Sequence, residues 1–402
     1  MKTILHCDLN NFFASVECVM HPEYVGKPVA VAGDPEERKG VVLAKNYLAK
    51  GAGVTTGMTI AEAQAKCPDI IITRVHFDLY NYYSERVREI YLRYTNLVEP
   101  FSIDECWLDV TESLKIFGSG EKIADRIRAE VKEETGLTIS VGVSFSKTLA
   151  KLGSDMKKPD ATTILTPENY KSKIYGLPVS DVVGIGRKTR DKMNKLGIFT
   201  LGDLAKYDDR VLKRYFGKVG TDLFDVVNGW ENTPVLDYDR FPPPKSVGNS
   251  TTFYRDIVRD SEVRAGFGAL AESVSSRMHA QKIYGANLLH VTVKDSNLHF
   301  WGKTIRLSEP TADSTKIANS AMDVYKTYYN GIPSIRLLGI SMSDFEKDSH
   351  QIGMTELLSR TSVDDTIDRL RAKYGTEVIV KANNYVDKRL VQSLGKVPPK
   401  KK

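Results

Sequence analysis

The chain reads as an α+β protein of several domains, on three observations. Residues 1–165 alternate strand-like apolar runs with amphipathic helical stretches, the texture of sheets with helices packed on them. After Pro167 the texture changes to short helical stretches punctuated by glycine. Beyond a proline-rich stretch (Pro234, then Pro242-Pro243-Pro244), residues 246–345 begin a separate alternation of strands and helices, about a hundred residues and so of domain size. A chain of 402 residues has ample length for such cores.

The first strand is Ile4-Leu5-His6-Cys7-Asp8-Leu9, and a helix opens at Phe12-Phe13-Ala14-Ser15-Val16-Glu17. Pro28-Val29-Ala30-Val31-Ala32-Gly33 and Gly40-Val41-Val42-Leu43-Ala44 read as strands, and Thr59 with Glu62 three residues on is a capping-box start for a helix to Lys66. Residues 80–95 are helical, with an aromatic stripe of Tyr80, Tyr83, Tyr91 and Tyr94 that suits core packing. Residues 121–135 form a further helix and residues 137–144 a buried strand. In the last domain, strands are expected over 249–253, 288–294, 301–307 and 335–343, with helices over 261–282 and 311–330. A helix over 363–374 and a basic end, Lys400-Lys401-Lys402, complete the chain.

Composition bounds the function. Apolar and charged fractions of 41% and 27% are those of an ordinary soluble protein. No apolar run nears membrane-spanning length, and the N-terminus goes straight into a strand, so neither a membrane partner nor a secretory leader is expected. The four cysteines, Cys7, Cys18, Cys67 and Cys106, form no CxxC pair, which suits packed thiols in a reducing cytoplasm. A net charge of +6 permits a polyanionic partner.

Two stretches carry the chemistry. Asp8 lies within the first strand, and Asp104-Glu105 within Glu99-Pro100-Phe101-Ser102-Ile103-Asp104-Glu105-Cys106-Trp107-Leu108-Asp109. Carboxylates in apolar strands are costly unless something compensates them, and a shared divalent cation is a natural partner. Neighbours on a regular strand face opposite ways, so Asp104 and Glu105 can serve one site only near a hairpin tip. Surface charges at strand ends are the alternative. Further on, Gly184-Ile185-Gly186 precedes a helix over 187–196 and a second turn at Gly197-Ile198, a pattern resembling a helix-hairpin-helix whose backbone N–H groups meet a DNA phosphate, with a plain helical turn as the alternative. Lys147, Lys151, Lys157 and Lys158 form either an anion cradle or a solvated helix face.

Asp8-Leu9-Asn10-Asn11-Phe12-Phe13-Ala14-Ser15-Val16-Glu17 resembles the first motif of the Y-family (translesion) DNA polymerases. Ser102-Ile103-Asp104-Glu105-Cys106-Trp107-Leu108-Asp109 resembles their second. The lysine stretch to Pro159, the 184–186 hairpin and Lys245-Ser246-Val247-Gly248 follow in the family's order, across residues 1–346, and the likeness is nearest to the DNA polymerase IV branch.

The resemblance implies a right-hand polymerase: a ferredoxin-like palm at 1–10 and 75–165, small fingers at 11–74 and a helical thumb with the helix-hairpin-helix at 166–232. A linker at 233–245, an α+β little finger at 246–346 and a tail at 347–402 follow. Asp8, Asp104 and Glu105 would be catalytic and, with the Leu9 carbonyl, would hold two Mg²⁺ ions, Mn²⁺ being the alternative. Phe12, Phe13, Tyr47, Lys50 and Lys158 would meet the nucleotide, with Phe13 as steric gate against the ribose 2′-OH. Thr56, Gly57 and Met58 would lie against the nascent base pair, and Gly184, Gly186 and Lys188 on DNA. Partners would be primer-template DNA, dNTP and a sliding clamp reached through Gln351-Ile352-Gly353-Met354, which lacks the usual aromatic pair. A monomer in the bacterial cytoplasm, associated with the nucleoid, is expected.

Two departures stand out. Where the family carries Thr-x-x-Tyr-x-x-Arg, this chain has Ala44, Tyr47 and Lys50, losing a hydroxyl and a forked guanidinium, so triphosphate contacts are expected to shift toward Lys45 and Asn46. Asn10 stands where an acid is common, and is left out of the metal set. Short fingers and a chain consumed by four domains imply low fidelity without proofreading. The rival readings are a catalytically weak or inactive polymerase-like DNA-binding scaffold and a nucleotide cyclase. The intact acids weigh against the first, and the helix-hairpin-helix and last domain against the second.

Overall fold

The computed structural model describes residues 1–329, 331, 334–346 and the isolated position 370. They divide into two compact units, one of residues 1–32 and 42–241, the other of residues 33–41 and those from 242 onward. The Gln351-Ile352-Gly353-Met354 stretch, the basic end and most of the expected 363–374 helix lie outside the described residues.

In the first unit the described strands are β1 (Ile4–Leu9), β2 (Val29–Ala32), β3 (Val42–Lys45), β4 (Ile71–Thr73), β5 (Val98–Pro100), β6 (Glu105–Asp109), β7 (Ile139–Ser144) and β8 (Thr162–Leu165). Five make one sheet in the order β5-β6-β1-β7-β8, and three make another in the order β3-β2-β4. Central β1 pairs antiparallel with both β6 and β7. Period-two alternation turns Leu5, Cys7 and Leu9 toward a core shared with Tyr80, Val87, Ile90 and Tyr91 of the helix Phe77–Leu92 and with Ile123, Ile127 and Val131 of the helix Gly120–Thr135. On the opposite face, Ile4 and Trp107 pack with Ala150 of the helix Lys147–Met156.

That helix lies unusually close to β7. A Cβ added to Gly142 would sit 1.8 Å from the Ala150 carbonyl oxygen, so only glycine allows the approach. Ser146 caps the helix by accepting from Leu149 N at 3.3 Å. The expected capping box forms too: Thr59 Oγ1 accepts from Glu62 N at 3.2 Å while Glu62 accepts from Thr59 N at 2.8 Å.

Beyond β8, helices Tyr170–Ile174, Arg187–Lys195, Leu201–Ala205, Asp209–Phe216 and Lys218–Val227 share a third core around Ile174, Met193, Ile198, Leu201 and Leu212. The proline-rich stretch that follows is bound for half its length. Glu231 accepts from Thr148 N and Oγ1, each at 3.0 Å, Val235 is buried against Ile4 and Trp107, and Leu236 N donates to Glu99 at 2.9 Å.

The second unit contains β9 (Ser246–Ile257), β10 (Ala286–Asp295), β11 (Phe300–Thr311) and β12 (Ile335–Phe345) in the order β11-β10-β12-β9. Two helices, Asp260–Ala280 and Ser314–Tyr328, pack on one face over Phe253, Leu289, Val291, Val293, Leu338 and Ile340. The strands run longer than sequence periodicity suggests. The alternate positions, Ser246, Gly248, Ser250 and Thr252, are small and polar, so the ends of β9 lack an apolar rhythm.

Candidate active site

Antiparallel pairing puts Asp8 directly opposite Glu105, with Cys7 opposite Cys106 and His6 opposite Trp107. Directly opposed residues share a face, so the two carboxylates project together beside the helix Lys147–Met156. β6 begins at Glu105, and Asp104 belongs to the turn before it. Phe101 N and Ser102 N both donate to the Glu105 carbonyl, at 2.9 and 3.3 Å, and Leu9 N donates to the Asp104 carbonyl at 3.0 Å. The expected hairpin tip is therefore present, and Asp104 is released from strand alternation. Its carboxylate accepts from Ser102 Oγ at 2.5 Å. Among the described residues no three His, Cys, Asp or Glu side chains are gathered in metal-binding geometry.

Lysines neutralise the two facing acids. Lys158 Nζ lies 2.9 Å from Asp8 and 2.8 Å from Asp155; Lys151 Nζ lies 2.9 Å from Glu105 and 3.7 Å from Asp155. Burial pushes the Asp8 carboxyl up to about 7 despite the Lys158 ammonium. Burial also works to raise Glu105, but the facing His6 ring and the Lys151 ammonium outweigh it and hold that carboxyl at about 2. His6 Nε2 and Glu105 Oε2 are 3.6 Å apart, beyond hydrogen-bond length, and both atoms are buried without a hydrogen-bond partner. An orphaned carboxylate oxygen beside a second buried carboxylate is the hard donor set a divalent cation takes, so these residues fit such an ion.

Of the four lysines considered as a cradle, Lys151 and Lys158 reach this site. Lys147 does not: it pairs with Glu99 at 2.6 Å and lies 4.4 Å over the Trp107 ring, a buried structural pair. Lys157 is exposed. The Asn10 side chain is engaged by neighbouring strand and loop groups. Its amide donates to Ser140 Oγ at 2.9 Å, and its carbonyl accepts from Thr138 Oγ1 at 3.1 Å and from Asp160 N at 2.9 Å, which ties down the segment carrying Lys158.

Phe12 is packed in the core, leaving only its backbone to face a ligand, whereas Phe13 is half-buried. Phe13 stacks on Tyr80 with ring centroids 4.2 Å apart and planes 11° off parallel, and Phe77 meets it edge-on at 5.9 Å. Tyr47 starts a short helix, Tyr47–Gly51; burial raises its hydroxyl pKa, with Lys158 and Asp8 within electrostatic reach. Lys50 is exposed, 5.8 Å from the Tyr47 ring. The expected role of Asn46 is not supported, because its side chain is already used: it accepts from Ala49 N and Val29 N at 3.0 and 3.1 Å and donates to the Lys27 carbonyl at 2.7 Å. Lys45 Nζ donates to Thr56 Oγ1 at 3.0 Å, while Gly57 (φ 90°) and Met58 continue the turn against β3.

In the 184–198 region, Gly184 (φ 93°) and Gly197 (φ 79°) need the left-handed region, and Gly186 precedes the helix Arg187–Lys195, which has no side-chain cap. A Cβ at Gly184 or Gly186 would meet nothing within 4 Å. Their backbone is thus open to a neighbour, with Lys188 exposed in the first helical turn.

Sequence reasoning missed His6, Lys151 as the Glu105 partner, and Tyr80 as the ring behind Phe13. Period-two alternation could have found His6, two residues from Asp8 on the same strand face. The direction of Tyr80 within its aromatic stripe could not be read from spacing.

The chain is similar to known proteins over most of its length. Residues 7–155 match the impB/mucB/samB family model, residues 167–198 the helix-hairpin-helix motif of that family and residues 244–354 its C-terminal domain. DNA polymerase IV of Acetivibrio thermocellus is 43% identical over 380 residues, covering 93% of this chain and 95% of that protein. DNA polymerase IV 1 of Bacillus subtilis is 35% identical over 386 residues, covering 94% and 92%. A chimeric Y-family DNA polymerase of solved structure superposes with a TM-score of 0.74 at 25% identity, covering 85% of this chain and 99% of that one. The chain belongs to the impB/mucB/samB family, the Y-family DNA polymerases, in the DNA polymerase IV branch.

Proposed function

We propose that this polymerase is template-directed, of low fidelity and without proofreading. It performs translesion synthesis by two-metal nucleotidyl transfer from dNTP to a primer 3′-OH. The observation that carries the reading is the Asp8–Glu105 register, two facing carboxylates at the end of β1 and β6 with Asp104 at the adjoining turn. Asp8, Asp104, Glu105 and the Leu9 carbonyl would hold two divalent cations, Mg²⁺ or in its place Mn²⁺. Such ions, when bound, acidify the 3′-hydroxyl and neutralise the departing pyrophosphate.

The chain's own residues do the rest. Lys158, now on Asp8, is placed to turn to the triphosphate, helped by Tyr47 and Lys50. Phe13 excludes a ribose 2′-hydroxyl, and Thr56, Gly57 and Met58 flank the nascent pair. The domains are read as palm 1–10 and 75–165, fingers 11–74, thumb 166–232, linker 233–245 and little finger 246–346.

Grip on DNA is assigned to the backbone around Gly184 and Gly186 with Lys188, and to the second unit's sheet. Strand register places Lys294 and Phe300, Thr292 and Gly302, His290 and Thr304, and Leu288 and Arg306 on the face opposite its helices. Gly248, Ser250, Gly339 and Ser341 continue that face. Small residues let a phosphate backbone approach closely, and the two cations supply attraction without reading sequence. No helix among the described residues is long and apolar enough to cross a membrane. A monomer in the bacterial cytoplasm near the nucleoid, recruited by a sliding clamp through residues 351–354, completes the proposal.

Primer extension on an undamaged template with Mg²⁺ and four dNTPs tests it, with the Asp104→Asn/Glu105→Gln variant alongside. Extension by the wild type and none by the variant is expected. DNA binding without extension by either would instead favour the scaffold reading and direct attention to Ala44 and Lys50.

A further inference from the structure

Glu17 is a fully buried carboxylate that the proposed chemistry does not use. Tyr80 Oη donates to its Oε1 at 2.5 Å, His76 Nδ1 lies 2.8 Å from the same oxygen, and Thr73 Oγ1 donates to Oε2 at 3.4 Å. Burying a charge is expensive even when it is paired, and apolar replacements of such networks are often neutral or stabilising. Stability alone therefore does not account for a glutamate here.

Its position does. Glu17 lies four residues after Phe13 on the helix Phe12–Met20, so both side chains leave the same helical face. Tyr80 bridges them: its ring stacks on Phe13 at 4.2 Å while its hydroxyl is held by Glu17. One helical turn, one ring stack and one hydrogen bond thus close a loop in which the Phe13 ring is fixed from behind. Phe77, 55% exposed, limits it at the edge. A bulky side chain that separates hydrogen from hydroxyl on a sugar works only if it cannot tilt, because the difference is one atom.

We propose that Glu17 and Tyr80 are positioning residues for sugar selection, holding the Phe13 ring at the angle that excludes a ribonucleotide. The proposal rests on the reading of Phe13 as the steric gate. Neither residue touches the nucleotide, so their loss acts on the ratio of dNTP to rNTP insertion more than on dNTP insertion itself.

The test compares kcat/KM for a dNTP and its rNTP in wild type, Tyr80→Phe, the apolar pair Glu17→Leu/Tyr80→Phe, Phe13→Ala and Phe13→Ala/Tyr80→Phe, with melting curves for each. Tyr80→Phe keeps the stacked ring and removes only the tether, so it remains informative if the apolar pair fails to fold. The selectivity ratio is expected to fall roughly tenfold in Tyr80→Phe, about what one charge-assisted hydrogen bond supplies, with dNTP insertion changed far less. Phe13→Ala should lose the discrimination, and adding Tyr80→Phe to it should change the ratio no further. Wild-type selectivity in a folded tether variant, beside a collapsed Phe13→Ala, overturns the positioning role alone. Equal losses for dNTP and rNTP overturn it as well, since a merely structural role predicts that. Unchanged selectivity in Phe13→Ala overturns the gate reading, and the positioning role with it.

Discussion

At the scale of single residues, the candidate site is a balance of buried charge. Asp8 and Glu105 face each other across β1 and β6, and each is offset by one lysine whose removal would leave a carboxylate uncompensated. Lys158 is shared between Asp8 and Asp155, so it can leave Asp8 without losing every partner. A divalent cation entering between the acids would replace that ammonium with a stronger charge. Mg²⁺ should therefore stabilise the fold even without DNA or nucleotide: at about 100 times its dissociation constant, the gain is about 2.7 kcal/mol. Thermal melts with and without Mg²⁺ should show this upward shift for the wild type and not for an Asp8→Asn/Glu105→Gln variant. Equal shifts in both would place the ion elsewhere.

At the scale of elements, the long periodic segments were legible from sequence and their placement was not. The strand that became β7 announced itself by alternation, and Thr59 and Glu62 gave the start of their helix from capping chemistry alone. β4 is too short at three residues to show a period, and β8, Thr162-Thr163-Ile164-Leu165, lacks the continuous apolar run that marks β2. The lysine stretch could not be sorted either. Lys147 and Lys151 lie one helical turn apart, yet one is buried on Glu99 and the other reaches Glu105, a difference set by how the helix Lys147–Met156 docks on the sheet. Gly142 makes that docking close: a Cβ there would also lie 2.5 Å from Ser154 N. Gly142→Ala must push the helix and its two site lysines away from β7. It should lower stability by about 1–3 kcal/mol, the usual range for overpacking, and reduce primer extension more than DNA affinity. Denaturant melts and extension assays on the same preparation would check this; wild-type stability would mean that the helix carries no such constraint.

At the scale of the whole molecule, the two units divide the work that the fold supports. Acids, lysines and the Phe13 ring all belong to the first unit, whereas the second offers a sheet with helices on one face and, on the other, a patch of Gly, Ser and Thr flanked by larger and charged side chains. The sequence showed the second domain clearly, but not that face, because Ser, Gly and Thr at alternate positions resemble a loop. On this face the cations placed to meet phosphates are Lys294 and Arg306, the latter also paired with Asp344 at 3.0 Å. The affinity of this face for duplex DNA should be largely electrostatic and insensitive to sequence. Each phosphate contact contributes about 0.9 to the slope of log affinity against log salt, so Lys294→Ala/Arg306→Ala should flatten that slope by about 2. Because the candidate acids lie in the other unit, single-nucleotide insertion at saturating DNA should stay close to wild type while the length of product per binding event falls. Fluorescence anisotropy across a salt series and product-length analysis under a DNA trap measure the two effects separately. An unchanged slope would take DNA off this sheet face and leave the backbone around Gly184 and Gly186 as the main proposed contact.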